Sequence, residues 1–171
     1  MVVISAFSGN SGGSNFSGKV AHFSAGICNV PFSDDANRLD GVPGLDSKTI
    51  QAIIAEIGVD MSVFPTDRHI GSWAGVCPGN NESAGKRKSG KTTKGNPWLK
   101  SILVQAAHAA GRSRDNYLSS LYHRLAARKG KKRAAIAVAH AILTIVYHII
   151  RDKTVYRDLG ADYFDRLDRE A

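Results

Sequence analysis

Ala134-Ala135-Ile136-Ala137-Val138-Ala139-His140-Ala141-Ile142-Leu143-Thr144-Ile145-Val146-Tyr147-His148-Ile149-Ile150 is a nearly unbroken apolar run, closed by Arg133 and Arg151. A bilayer span needs about 20 apolar residues; this run is short for one, and His140, Thr144 and His148 interrupt it. Its length and period predict a helix from about Lys132 to Ile150 that is buried in a protein core, not in a membrane. A helix that is apolar around most of its circumference must be covered by other elements, and the sequence upstream supplies them. Pro97 suits the first turn of a helix reaching about Ala110. Tyr117, Leu118, Leu121, Tyr122 and Leu125 share one stripe of a helix from about Asp115 to Arg128. Further upstream, Ser47 is placed to cap a helix carrying Ile50, Ile53, Ile54 and Ile57, which Gly58 ends. Another short helix starts near Thr66-Asp67 and carries Ile70, Trp73 and Ala74. No stretch shows convincing strand alternation, so the fold class is all-α.

The flanks read differently. Ser5, Ser8, Gly9, Ser11, Gly12, Gly13, Ser14, Ser17 and Gly18 crowd the start of the chain, a composition that cannot offset its own ordering entropy. Residues 1–38 are therefore expected to be a disordered arm, with order beginning near Asn37. Residues 39–152 form one domain, and residues 153–171 a tail in which Tyr156, Leu159, Tyr163, Phe164 and Leu167 keep an intermittent helical period. With 171 residues and 43% hydrophobic content, one domain with a real core is the expectation. Cys28 and Cys77 have no metal-ligand spacing and make no disulfide framework, so both are expected to be reduced thiols in a cytoplasmic protein. No basic segment followed by an apolar run marks the N-terminus as a signal peptide.

Charge gives the sharper functional signal. Lys and Arg number 23 against 15 Asp and Glu, for a net charge of +8 and a pI near 9.7. No acid occurs between Glu82 and Asp115, an interval holding Lys86, Arg87, Lys88, Lys91, Lys94, Lys100, Arg112 and Arg114. None occurs between Asp115 and Asp152 either, where Arg124, Arg128, Lys129, Lys131, Lys132 and Arg133 lie. Interspersed charges only solvate a surface, whereas segregated ones create a field that attracts phosphates. DNA is the expected partner, gripped by Lys86, Arg87, Lys88, Lys91, Lys94, Arg112 and Arg114, and by Lys131, Lys132 and Arg133 in the connection between the last two long helices.

Two local patterns bear on chemistry. Gly41-Val42-Pro43-Gly44 ahead of a helix resembles the hairpin of helix-hairpin-helix modules, in which backbone amides around a residue such as Gly44 hold a phosphate. Those modules usually carry Gly where this chain has Asp46. The second pattern is the long polar stretch from Gly75 to Pro97, expected to be a basic loop. Within it Ser83 is flanked by small residues and followed by Lys86, Arg87 and Lys88. A serine that attacks a phosphodiester needs access and cationic stabilisation, and this composition offers both. On composition alone, a basic loop that merely grips phosphates is the preferred reading. Gly85-Lys86-Arg87-Lys88-Ser89-Gly90-Lys91-Thr92 has the residue spacing of a P-loop, but no strand is read before it and no helix opens at Lys91, so it is not read as one. His108, His123, His140 and His148 read as ordinary helix residues without the companions a metal site needs; Trp73 and Trp98 could stack on bases, but each sits in an apolar helical pattern and reads as core.

The order and spacing of several short features resemble one family. The Val-Pro-Gly opening at Val42, Ala55-Glu56-Ile57-Gly58 and Phe64-Pro65 come first. Trp73-Ala74-Gly75 and Pro78 follow, then Ser83-Ala84-Gly85-Lys86, and finally Lys94-Gly95-Asn96 before a Leu-bearing helix. Together they are similar to the C-terminal domain of the insertion sequence 110/116/902 transposases, the bridge-RNA-guided DNA recombinases. That resemblance implies DNA transposition by strand exchange, with Ser83 as the catalytic serine that becomes joined to DNA. It also implies a structured guide RNA and a second copy of the chain among the candidate partners, and a preceding RuvC-like domain that holds Mg²⁺ on an acidic quartet. Residues 1–40, with only Asp34, Asp35 and Asp40 as acids, offer no such quartet. The expectation is a truncated chain that binds no metal and is inactive alone. A non-enzymatic module for DNA or RNA is the alternative.

Overall fold

The computed structural model describes residues 33–77, 81–83, 86–89, 91–92 and 94–170. Three long helices form its body: α4 (Pro97–Arg112), α5 (Tyr117–Lys129) and α6 (Lys131–Asp152), each packed on the other two. Asn96 starts α4 by accepting from the amides of Trp98 and Leu99 at 2.9 and 3.1 Å. Asn116 starts α5 in the same way, through the Ser119 amide at 2.9 Å. Side chains of this type at the N-cap satisfy amides that have no partner within the helix. The connections are short, so α4, α5 and α6 run up, down and up.

The apolar run is α6, and it is the helix the others cover. Val138, Ala139, Ile142, Val146 and Ile150 are fully buried. By length and composition α6 could also cross a membrane, but 56% of its apolar window is already buried inside the protein. Among the described residues it is a core helix, as its interruptions by His140 and His148 suggest.

The N-terminal elements wrap one side of this body. They are α1 (Ser33–Leu39), α2 (Ser47–Ile57), a 3-10 turn (Met61–Val63) and α3 (Asp67–Trp73). Positions 33–38, assigned to the disordered arm, are thus helical in α1. Two interactions explain it. Ala36 and Leu39 are buried, and the Asp35 carboxylate accepts from Arg38 at 3.2 Å and from Lys153 Nζ at 3.0 Å. The rest of the expected arm, residues 1–32, lies outside the described residues. The α2 cap is Asp46, which accepts from the Thr49 amide at 2.8 Å; Ser47 is the first helical residue. Hydrogen bonding to Thr49 holds the Asp46 carboxyl below its ordinary range.

Two further expectations are corrected, and part of the tail is helical. The tail forms α7 (Tyr163–Glu170), which docks on α5. Tyr117 packs Tyr163 and Phe164 at ring distances of 5.2 and 5.5 Å, and Arg124 grips Asp168 through both guanidinium nitrogens at 2.9 and 3.1 Å. The long loop holds a two-stranded antiparallel hairpin, β1 (Asn81–Ser83) and β2 (Lys86–Ser89). Neither tryptophan is core: Trp73 is 41% exposed with its ring tilted at 55° to that of Phe64, and Trp98 is 74% exposed.

Gly44 shows how tightly the N-terminal layer is seated. Its φ is +87°, and a Cβ there would overlap the carbonyl oxygen of Ala106 and approach the Ala110 amide nitrogen to 2.7 Å. The turn between α1 and α2 therefore lies directly on the α4 backbone, which only a residue without a side chain permits. Gly44→Ala should destabilise the protein by about 3 kcal/mol or more, through left-handed strain and overpacking together. Thermal unfolding followed by circular dichroism checks this; an unchanged midpoint would show that the turn is not packed as described.

Candidate nucleic-acid interface

The hairpin that carries Ser83 stands on a stitched base. In the β1–β2 ladder Ser83 pairs with Lys86, Glu82 with Arg87 and Asn81 with Ser89, with an irregularity between Asn81 and Glu82. Lys86, Arg87 and Lys88 are consecutive residues of β2, so the ladder sets the serine's strand beside a run of cations. Where the segment leaves α3 and where it returns to α4, its two feet touch. A Cβ on Gly95 would collide with the Gly75 nitrogen and Cα. The Asn96 amide donates to Trp73 O at 3.1 Å, and Asn96 Nδ2 donates to Glu56 Oε2 at 2.6 Å. Lys100 Nζ, in the first turn of α4, donates to Thr92 Oγ1 at 2.5 Å. The excursion is thus a closed loop clamped onto the ends of α2, α3 and α4.

Helix direction then decides which cations share a neighbourhood. Because α4, α5 and α6 run up, down and up, the start of α4, the end of α5 and the start of α6 meet at one end of the bundle. The hairpin feet are at that same end. There Lys91, Lys94, Arg128, Lys129, Lys131, Lys132 and Arg133 are all exposed. Lys131, Lys132 and Arg133 occupy the first turn of α6, which contains no acid and whose N-cap, Gly130, supplies no side-chain cap. Cations there oppose the positive end of the helix dipole, at about 0.3–1 kcal/mol each. A bound anion would relieve that opposition and take up the unpaired amides.

The remaining sequence-derived residues go elsewhere. Arg112 closes the last turn of α4 and Arg114 follows it. Since α4 has 16 residues, they sit about 24 Å from its start. Gly44 lies at their end too, turned onto Ala106 and Ala110. Two groups therefore emerge from one sequence set: the hairpin, Lys91, Lys94, Lys131, Lys132 and Arg133 at one end, and Gly44, Arg112 and Arg114 at the other. Sequence reasoning placed Lys129 with Lys131, Lys132 and Arg133 in a phosphate-touching connection but left out Arg128, although it lies in the same acid-free interval. It also missed Trp98 as a surface residue.

No metal chemistry is assembled. Among the described residues no group of three or more His, Cys, Asp or Glu is arranged to hold an ion. Asp35 is committed to Arg38 and Lys153, so the acids near the start of the chain do not fit a Mg²⁺ quartet. Cys77 and His140 approach one another over the bare face of Gly71, where a Cβ would come within 2.9 Å of Sγ and 3.1 Å of Nε2. Burial pushes the thiol up and the imidazole down, which favours the neutral form of each.

A helical bundle with cations gathered at the end that carries a serine-bearing hairpin is the class of domain that the fold defines. Residues 36–123 match the model of the transposase IS116/IS110/IS902 family, more than half of the chain, and the chain belongs to that family. It is 27% identical over 129 residues to the transposase for insertion sequence element IS1111A of Coxiella burnetii (strain RSA 493 / Nine Mile phase I), a match covering 73% of this chain and 35% of that protein. It is 29% identical over 127 residues to the pilin gene-inverting protein of Moraxella bovis, covering 72% of this chain and 39% of that protein. A putative transposase y4pF/y4sB of Sinorhizobium fredii (strain NBRC 101917 / NGR234) is 29% identical over 129 residues, covering 71% and 33%. The chain thus spans between a third and two fifths of the length of these relatives.

The clamp at the hairpin base can be tested directly. Gly95→Ala should force the feet apart, break the bond from the Asn96 amide to Trp73, and cost about 1–3 kcal/mol of stability. Amide hydrogen exchange at Asn96 should accelerate well beyond the change in global stability; an unchanged rate at Asn96 would contradict the clamp.

Proposed function

We propose that this chain is the DNA-binding, serine-bearing C-terminal domain of a transposase or recombinase of this family, acting in the cytoplasm. The observation that carries the reading is the gathering of Lys91, Lys94, Arg128, Lys129, Lys131, Lys132 and Arg133 at the bundle end from which the hairpin projects. Cations at the uncapped start of α6 reduce helix stability, and a polyanionic partner gives that cost a purpose. On this reading the end grips phosphates without reading sequence, and the hairpin is held over the strand so bound.

Ser83 is the proposed nucleophile. Its hydroxyl oxygen attacks a backbone phosphorus, a phosphoserine ester forms, the phosphorus–oxygen bond to one sugar breaks, and that sugar leaves as an alcohol. Lys86, Arg87 and Lys88 supply positive charge for the crowded phosphate. The serine proton has to pass to a base, and no such base is assigned in this chain. The family's acidic, Mg²⁺-binding domain, expected on a further segment or another polypeptide, would complete the reaction. A structured guide RNA and a second copy of the chain remain proposed partners on the family resemblance alone.

Two measurements test this. The chain should bind generic duplex DNA with a log–log salt slope near −5, about six phosphate contacts. Lys131→Ala, Lys132→Ala and Arg133→Ala combined should make that slope shallower by about 2–3, without lowering the melting temperature. Arg112→Ala with Arg114→Ala should change affinity by less than about twofold, since these residues lie about 24 Å away along α4. Equal losses from both sets would contradict a binding face at the hairpin end. Ser83→Ala should leave affinity unchanged yet abolish covalent attachment to DNA once the acidic domain is supplied; retained attachment would remove Ser83 from the role.

A further inference from the structure

The indole of Trp98 is 74% exposed, the most exposed large apolar side chain among the described residues. Burying such a ring is worth several times the gain from a small side chain, so its placement in water calls for a partner. Nothing about its backbone is loose. Trp98 follows Pro97 in the first turn of α4, and its amide donates to Asn96 Oδ1 at 2.9 Å. Asn96 is itself fixed by Trp73 O and Glu56 Oε2. The ring is therefore presented from a rigid platform, and it makes no ring or cation–π contact among the described residues.

Its neighbourhood decides what the partner is. Lys94 is exposed just before it, Lys100 lies two residues after it at the foot of the hairpin, and the nearest carboxylate tied into this base, Glu56, is occupied by Asn96. Protein–protein interfaces are depleted in lysine around their aromatic anchors. An isolated flat ring among lysines instead matches a nucleotide, whose base stacks while its phosphate takes the charge. The other strongly exposed apolar residues, Val63 and Val155, are aliphatic and offer no stacking face.

We propose that Trp98 stacks on an unpaired base of a DNA strand held at the foot of the Ser83 hairpin. This rests on the DNA-binding reading above and adds to it a requirement that duplex binding does not have. An unpaired base exposes its face, whereas a base within a duplex is covered on both sides. Trp98 would thus favour DNA that is opened beside the hairpin, as a strand must be to change partners.

The test uses the full chain and two probes: an oligothymidylate of about 16 nucleotides, within the usual range for single-strand sites, and a duplex of the same length. Trp98→Ala should weaken binding of the single strand by about tenfold or more, and binding of the duplex by less than about twofold. Trp98→Phe should recover most of the loss. In a Trp73→Phe protein, where Trp98 is the one remaining tryptophan, the oligothymidylate should quench the fluorescence. An unchanged single-strand affinity in Trp98→Ala, or equal losses on both probes, overturns the stacking role while leaving DNA binding intact. Failure of the unaltered chain to bind either probe overturns the DNA-binding reading and this inference together.

Discussion

Removing one face after another of α6 from water sets the terms for the rest of the molecule. Val138, Ile142, Leu143, Val146 and Ile150 are buried essentially completely, and each such side chain contributes roughly 1.5–3 kcal/mol. Tyr147, also buried, keeps its hydroxyl satisfied by donating to Phe64 O at 2.9 Å. Burial this complete needs neighbours on several sides, and α4, α5, α3 and α1 provide them. The body of the helix carries no Lys, Arg, Asp or Glu, even at the exposed Ala137. The cations of α6 and its flanks are driven to its ends, with Lys131, Lys132 and Arg133 at one and Arg151 and Lys153 at the other.

The elements with a strong apolar period were legible in the sequence. The four isoleucines of α2, the stripe on α5 and the run of α6 each announce a helix, and Pro97 announces where α4 begins. What escaped has no local signature. The short α1 has Ala36 and Leu39 as its apolar contacts, and the residue that anchors it, Lys153, lies 118 positions away. The β-hairpin pairs serine, asparagine and basic residues whose sequence carries no alternation; its pairing is a backbone event that side-chain patterning does not encode. At the α2 cap, Asp46 and Ser47 are both able to accept an amide, and geometry rather than residue type selects Asp46.

The candidate site was half legible for a related reason. A run of positions without acids reports charge along the chain, whereas a binding face is defined by which helix ends coincide. Arg112 and Arg114 belong to the same acid-free interval as Lys94, yet a whole helix separates them. Arg128 and Lys129 belong to a different interval, and an antiparallel turn brings them back. Trp98 was misread because its spacing within α4 fits an apolar period. Leu99, beside it in the same first turn, is fully buried, so Trp98 lies on the side of α4 that nothing covers among the described residues.

The claim on which the account depends is that one end of the bundle, and not the other, faces nucleic acid. Titrating the isotopically labelled chain with a short duplex and following backbone amide shifts by nuclear magnetic resonance tests it most directly. The account predicts that the shifts concentrate at residues 94–100 and 128–133, and that residues 41–46 and 112–114 stay still. Shifts centred on Gly44, Arg112 and Arg114, with Lys131, Lys132 and Arg133 unmoved, would contradict it.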